Sequence, residues 1–147
     1  MQPVSGTFRP PLRTALRAVP ATALAAVAAG GAIGSLARYG LLVLLPAEPG
    51  EFDLATFLAN TAGGLLIGAL MVLATEIAPD RRHVRPFLGV GVLGGFTTFS
   101  TYIVDIGRAV DAGAQLLAVA YAFATIAAAL TAAAAGMWAA RRIARRR

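Results

Sequence analysis

The 147-residue chain has no lysine and no cysteine, one histidine, and only 7 acidic residues. The absence of cysteine excludes disulfides, thiolate metal sites and thiol redox chemistry. The single histidine, His83, lies among arginines in a loop. One imidazole makes neither a metal cluster nor a nucleophile–base pair, so the sequence does not read as an enzyme. Charge is scarce as well: 14% of residues are charged and 58% are hydrophobic. A soluble domain carries about 25% charged residues, so this balance points to a membrane chain.

Without lysine, the formal net charge of +6 rests on arginine alone. The arginines stand at the ends of hydrophobic runs, where they orient a protein in the bilayer; they do not form a nucleic-acid surface. Four charge-poor runs, at residues 21–45, 54–74, 87–106 and 115–140, are each long enough to cross about 30 Å of hydrocarbon. The fold class is therefore an all-α membrane protein with four transmembrane helices, residues 21–140 forming one domain. A basic tail at 1–20, holding Arg9, Arg13 and Arg17, reads as disordered, and residues 141–147 read as a basic C-terminal tail. Arginines before an apolar run also describe a signal peptide, but the first run outlasts an h-region of about 7–15 residues. The tail, the second loop (Arg81, Arg82, Arg85) and the C-terminus hold nearly all the arginine, while the other two loops hold Arg108 against Glu48, Glu51, Asp53 and Asp111. The positive-inside rule then places both termini in the cytoplasm of a multi-pass inner or plasma membrane protein.

The least ordinary stretch is residues 89–105, GVGVLGGFTTFSTYIVD. Glycines, hydroxyls and aromatics crowd where a membrane helix is usually plain. Irregular backbone at membrane depth survives only when buried in protein or lining a watery path. The stretch reads as a broken transmembrane helix, with Gly94-Gly95 as its weak point and the break serving a site. Other polar groups repeat at helical spacing: Thr56 with Asn60, and Tyr121 with Thr125, each pair four residues apart. A membrane asparagine can be interhelical glue or an anion donor. Arg38 can snorkel to the headgroups or attract anions into a vestibule. Gly30, Gly34 and Ala37, and then Gly64 and Gly68, are spaced as small-residue seams, and Trp138 as an interfacial anchor. No span carries an evident buried carboxylate, and Asp105 reads as interfacial. Uncharged donors, with the electropositive ring edge of Phe99, suit a small anion or polar solute.

Three segments, GGAIGSLARYG, TFLANTAGGLLIGAL and GVLGGFTTFSTYIVD, together resemble the Fluc (CrcB) fluoride channels over about residues 25–137. The resemblance implies an antiparallel dimer of four-helix subunits that exports fluoride passively along two interface pathways. It also implies a structural, untransported sodium ion held by the main-chain carbonyls of Gly94 and Thr97. By the same resemblance the fluoride pathway maps to Asn60, Thr56, Phe99, Tyr102, Ser100, Thr101, Tyr121 and Thr125, with Arg38 in the vestibule. Two positions depart from the pattern: Tyr102 stands where a second phenylalanine is expected, and Ala129 where a further hydroxyl is expected.

An antiparallel homodimer requires one sequence to insert both ways, which a strongly biased chain resists. The expected partner is therefore a homologous second chain of opposite bias, in the same bilayer, with no nucleic acid involved. Two other readings remain. A small drug/proton antiporter would need a carboxylate in the first span, which has none. A non-conducting scaffold would explain the glycine seams but not the clustered hydroxyls.

Overall fold

A computed structural model describes residues 20–77 and 84–146. The expectations for the N-terminal tail, for Asp80, Arg81, Arg82 and His83, and for Arg147 lie outside the described residues. All regular structure among the described residues is helical: α1 (Ala21–Leu44), α2 (Leu54–Val72), α3 (Arg85–Leu93), α4 (Gly94–Phe96), α5 (Ser100–Asp111) and α6 (Gln115–Ala144). A wider π-type turn, Leu73–Ile77, prolongs α2, and α3 is wound the same way. Four helical stretches, Ala21–Leu44, Leu54–Ile77, Arg85–Asp111 and Gln115–Ala144, are long and apolar enough to cross a membrane. The chain is a multi-pass membrane protein.

Local chemistry sets the helix ends. Asp53, read from sequence only as part of an acidic loop, caps α2: its Oδ1 accepts the Thr56 N–H at 2.7 Å. Pro86 occupies the first turn of α3, where its missing N–H costs nothing. The third span runs past residue 106 to Asp111 and reverses at Gly113, whose φ of 77° favours a residue without Cβ. The last helix continues to Ala144, so Arg141 and Arg142 project from helix rather than from a tail.

Much of the interior is built from small residues while many large apolar side chains face outward, as suits a lipid-solvated protein. Ala55, Ala59, Ala109 and Ala118 are buried, whereas Leu36, Leu116, Phe123 and Leu130 are exposed. In lipid there is little hydrophobic drive between helices, so close backbone packing carries association. α1 packs chiefly on α3–α4, and α2 on α6. A Cβ placed on Gly30 would strike the Phe87 carbonyl, and one on Gly34 the Val92 carbonyl. Gly95 returns the contact: its Cβ would lie 3.1 Å from the Ser35 nitrogen. Across the other pair, Gly64 and Gly68 lie against the Ala129 and Ala133 carbonyls, and Gly136 against that of Leu65. Ala37, read as a third member of the first seam, is exposed instead. The seam ends at Gly34 because that glycine already meets Phe96, beyond which the opposing helix stops.

Gly34→Ala is expected to lower stability by about 1–3 kcal/mol, the usual cost of overpacking. Gly40, on the same helix with nothing within 4 Å of a built Cβ, provides the contrast. Gly40→Ala is expected to hold or raise stability by about 0.5–1 kcal/mol. Thermal unfolding of the two variants in detergent checks the pair, and equal shifts would contradict the seam.

Candidate functional site

Between α4 and α5 the backbone leaves helical geometry. Thr97 is extended, with φ −82° and ψ 157°, and helix resumes at Ser100. Gly94 and Gly95, read as the weak point, remain helical, with Gly94 at φ −65° and ψ −32°. Gly95 serves close packing against Gly31 and Ser35 of α1, and the departure falls three residues beyond Gly94.

The side chain of Asn60, from α2, fills the gap. Its Nδ2 donates to the Thr98 carbonyl at 2.9 Å, and its Oδ1 accepts the Thr98 N–H at 2.9 Å. One amide thus satisfies both polar groups of one peptide position, as a neighbouring strand would. Gly63, one helical turn on, leaves room for the Thr97 methyl that the break turns inward. The bonding has a consequence for two carbonyls. In an unbroken helix Gly94 would accept from the Thr98 N–H, and Thr97 from the Thr101 N–H. Here the first N–H goes to Asn60, and the second goes to Thr98 Oγ1 at 3.1 Å. Gly94 and Thr97 are thereby deprived of their helical donors.

Thr98 is the hub that sequence reading missed. Its hydroxyl donates to Thr101 Oγ1 at 3.1 Å and lies 3.2 Å from Ser100 Oγ. The signal was the doubled threonine at a break, where a hydroxyl can cap the next helix. Beside the hub lies a groove of about 430 Å³, and Asn60, Gly94, Thr97, Phe99, Tyr102 and Thr125 all line it. Ala129, noted for its missing hydroxyl, lines it too. Phe99 is 74% exposed, an unusual position for a phenylalanine at a polar break. Tyr102 is buried; its ring lies 5.7 Å from that of Phe99, and its hydroxyl donates to the Ala122 carbonyl at 2.9 Å. The added hydroxyl therefore ties the ring to α6.

The remaining predicted residues lie elsewhere. Thr56 and Tyr121 are buried beside the groove rather than in its wall. Thr56 Oγ1, Tyr121 OH and Thr125 Oγ1 are buried without a hydrogen-bond partner among the described residues. Groups left so are costly, about 1–3 kcal/mol each, and Thr61 Oγ1 on α2 shares the condition. Tyr121 joins an aromatic row, 5.0 Å from Phe52 and 5.7 Å from Tyr102. Arg38 is half-buried on α1 and does not line the groove. The Asp105 side chain is only 8% exposed, with one Oδ 3.6 Å from Arg108 and the other without a partner among the described residues. It lines a small cleft with Glu48, Glu51 and Asp53 of the loop before α2.

The family model described as CrcB-like protein, Camphor Resistance (CrcB), matches residues 25–137. The chain belongs to this family. Fluoride-specific ion channel FluC 2 of Streptomyces avermitilis is 52% identical over 106 residues, covering 72% of this chain and 67% of that protein. FluC 1 of Streptomyces coelicolor is 48% identical over 123 residues, 84% of this chain and 80% of the relative. FluC 2 of Nocardia farcinica is 47% identical over 118 residues, with 80% and 84% covered. These relatives of the CrcB-family chain are named as channels, not enzymes.

Asn60→Asp keeps an acceptor for the Thr98 N–H but turns a carboxylate oxygen toward the Thr98 carbonyl. It is expected to destabilise the chain by about 1–3 kcal/mol. Asn60→Leu, which strands both Thr98 groups, is expected to cost more. Thermal unfolding of the two variants checks the order.

Proposed function

We propose that this chain is a subunit of a fluoride channel that passively exports cytoplasmic fluoride. The observation that carries the reading is the groove beside the broken third span, a mainly apolar wall that holds Asn60, Thr97, Thr98, Tyr102 and Thr125 and no charged side chain. Fluoride is small, strongly hydrated and a strong hydrogen-bond acceptor. Leaving water requires replacement donors, and leaving the site requires that no fixed cation hold it. Asn60 has a second amide hydrogen beyond the one given to Thr98. The Phe99 ring edge and the orphan hydroxyls of Thr125, Thr56 and Tyr121 supply the rest, with Ser100 and Thr101 at the hub. Arg38 would draw anions from one side. The names of the relatives support fluoride as the ion.

The mechanism needs no coupled energy source. Fluoride enters as neutral HF, dissociates in a less acidic cytoplasm and is trapped. A membrane potential drives the anion outward by about 2.3 kcal/mol per 100 mV. In this reading Gly94 and Thr97 hold a structural sodium ion through their main-chain carbonyls. The fit rests on the diversion of both helical donors, which leaves two hard oxygens at one break. Sodium bound there would balance the carbonyl dipoles and hold the break open.

The pathway is completed by an oppositely oriented second subunit over the open groove, and the exposure of Phe99 supports such a cover. The arginine bias implies insertion one way, with both termini cytoplasmic, so the partner is a homologous chain of opposite bias.

The test is fluoride efflux from liposomes in sodium buffer, with chloride as control. Rapid fluoride-selective efflux from this chain alone would support the channel and refute the need for a second chain. Silence that persists after co-reconstitution with an oppositely biased homologue would refute the channel. In whichever assembly conducts, Phe99→Ala is expected to cut flux about tenfold, the worth of one aromatic contact. Tyr102→Phe is expected to leave flux unchanged, since that hydroxyl points to Ala122 rather than to the ion. Replacing sodium with a bulky organic cation is expected to abolish efflux.

A further inference from the structure

The C-terminal end of α6 carries a second concave site, unrelated to the groove. It is about 600 Å³, walled by Ala134, Met137 and Trp138 and rimmed by Arg142, Arg145 and Arg146. Arg141 also borders it but is committed elsewhere. Its guanidinium grips Glu76 in a two-pronged pair, with Nη2 to Oε1 at 2.8 Å and Nε to Oε2 at 3.2 Å. No carboxylate pairs with the other three arginines among the described residues, and Asp80, between the second and third spans, lies outside them. The Arg142 guanidinium sits over the Trp138 ring, 5.3 Å from its centroid, which holds the fork in place.

We infer that this end of α6 binds the phosphate of an anionic phospholipid. Three features favour that occupant over a soluble anion. Trp138 is an interfacial residue type at the boundary of a membrane span. Ala134 and the exposed Leu130 continue the apolar wall along the same helix face, at a spacing of four residues, into the depth where an acyl chain lies. The rim consists of arginines, whose planar forks match phosphate oxygens two at a time. One ligand thus meets both chemistries: phosphate on the guanidinium rim, acyl chain on the wall below.

Trp138 is the only tryptophan in the sequence, so its fluorescence reports on this site alone. The full chain is placed in phosphatidylcholine vesicles doped with a small fraction of brominated phosphatidylglycerol or, separately, brominated phosphatidylcholine. Bromine quenches tryptophan on contact. The anionic lipid is expected to be enriched at Trp138 about fivefold, the attraction of one arginine near a charged headgroup. Arg142→Gln is expected to remove most of that excess, whereas Arg108→Gln, the same charge change on another helix, leaves it intact. Equal quenching by the two lipids would overturn the inference. So would an equal loss in both variants, which would mean net charge and not a local site. Loss of the excess on adding inorganic phosphate at constant ionic strength would assign the site to free phosphate and remove the lipid.

Discussion

The arrangement depends on one side chain reading one peptide position. A membrane helix cannot open without partners for the groups it frees, because hydrocarbon supplies none. Asn60 supplies both for Thr98, a donor and an acceptor at matched distances. Asparagine is suited to this role, since its carboxamide has the same donor–acceptor pair as the backbone it replaces. With Thr98 satisfied from the side, the chain can turn extended at Thr97 and restart at Ser100. The carbonyls of Gly94 and Thr97 lose their helical donors as a direct result.

The groove follows from that opening. Phe99 and Tyr102 stand one turn apart at the start of α5, where the Phe99 carbonyl accepts the Ile103 N–H; Phe99 is exposed while Tyr102 folds in against α6. The aromatic row from Phe52 through Tyr121 to Tyr102 and Phe99 then links the loop before α2 to the break. Beside this row lie hydroxyls that have no hydrogen-bond partner among the described residues. Polar capacity is concentrated on one side of the bundle, and the rest of its surface suits lipid.

Much of this was legible in the sequence because membrane physics leaves few options. Charge-poor runs gave the spans, and the spacing of Gly30 with Gly34 and of Gly64 with Gly68 gave the seams. The clustering at residues 94–102 marked the stretch where the backbone leaves helix, and Gly94, Thr97, Phe99 and Tyr102 from it line the groove. What could not be read was which glycines bend and which merely let backbones touch. Gly94 and Gly95 have the sequence signature of a hinge, yet Gly95 is spoken for by Gly31 and Ser35 on another helix. The true departure is decided by Asn60, which stands 38 residues away from Thr98. The burial of Asp105 was not legible either, because it depends on the loop before α2 that packs beside it, which local composition does not reveal.

The pairing of the spans has a bearing on how the chain is made. The first span packs chiefly against the third and the second against the fourth, so neighbours in sequence are not the main neighbours in space. Spans leave the ribosome in order, so the first has no glycine-lined partner until the third arrives, and the second waits for the fourth. The first two helices therefore enter the bilayer as loosely associated rods with Gly30, Gly34, Gly64 and Gly68 still facing lipid. Assembly is deferred to the last moments of synthesis. Only then can Asn60, delivered early on the second span, capture a peptide from the third and open it.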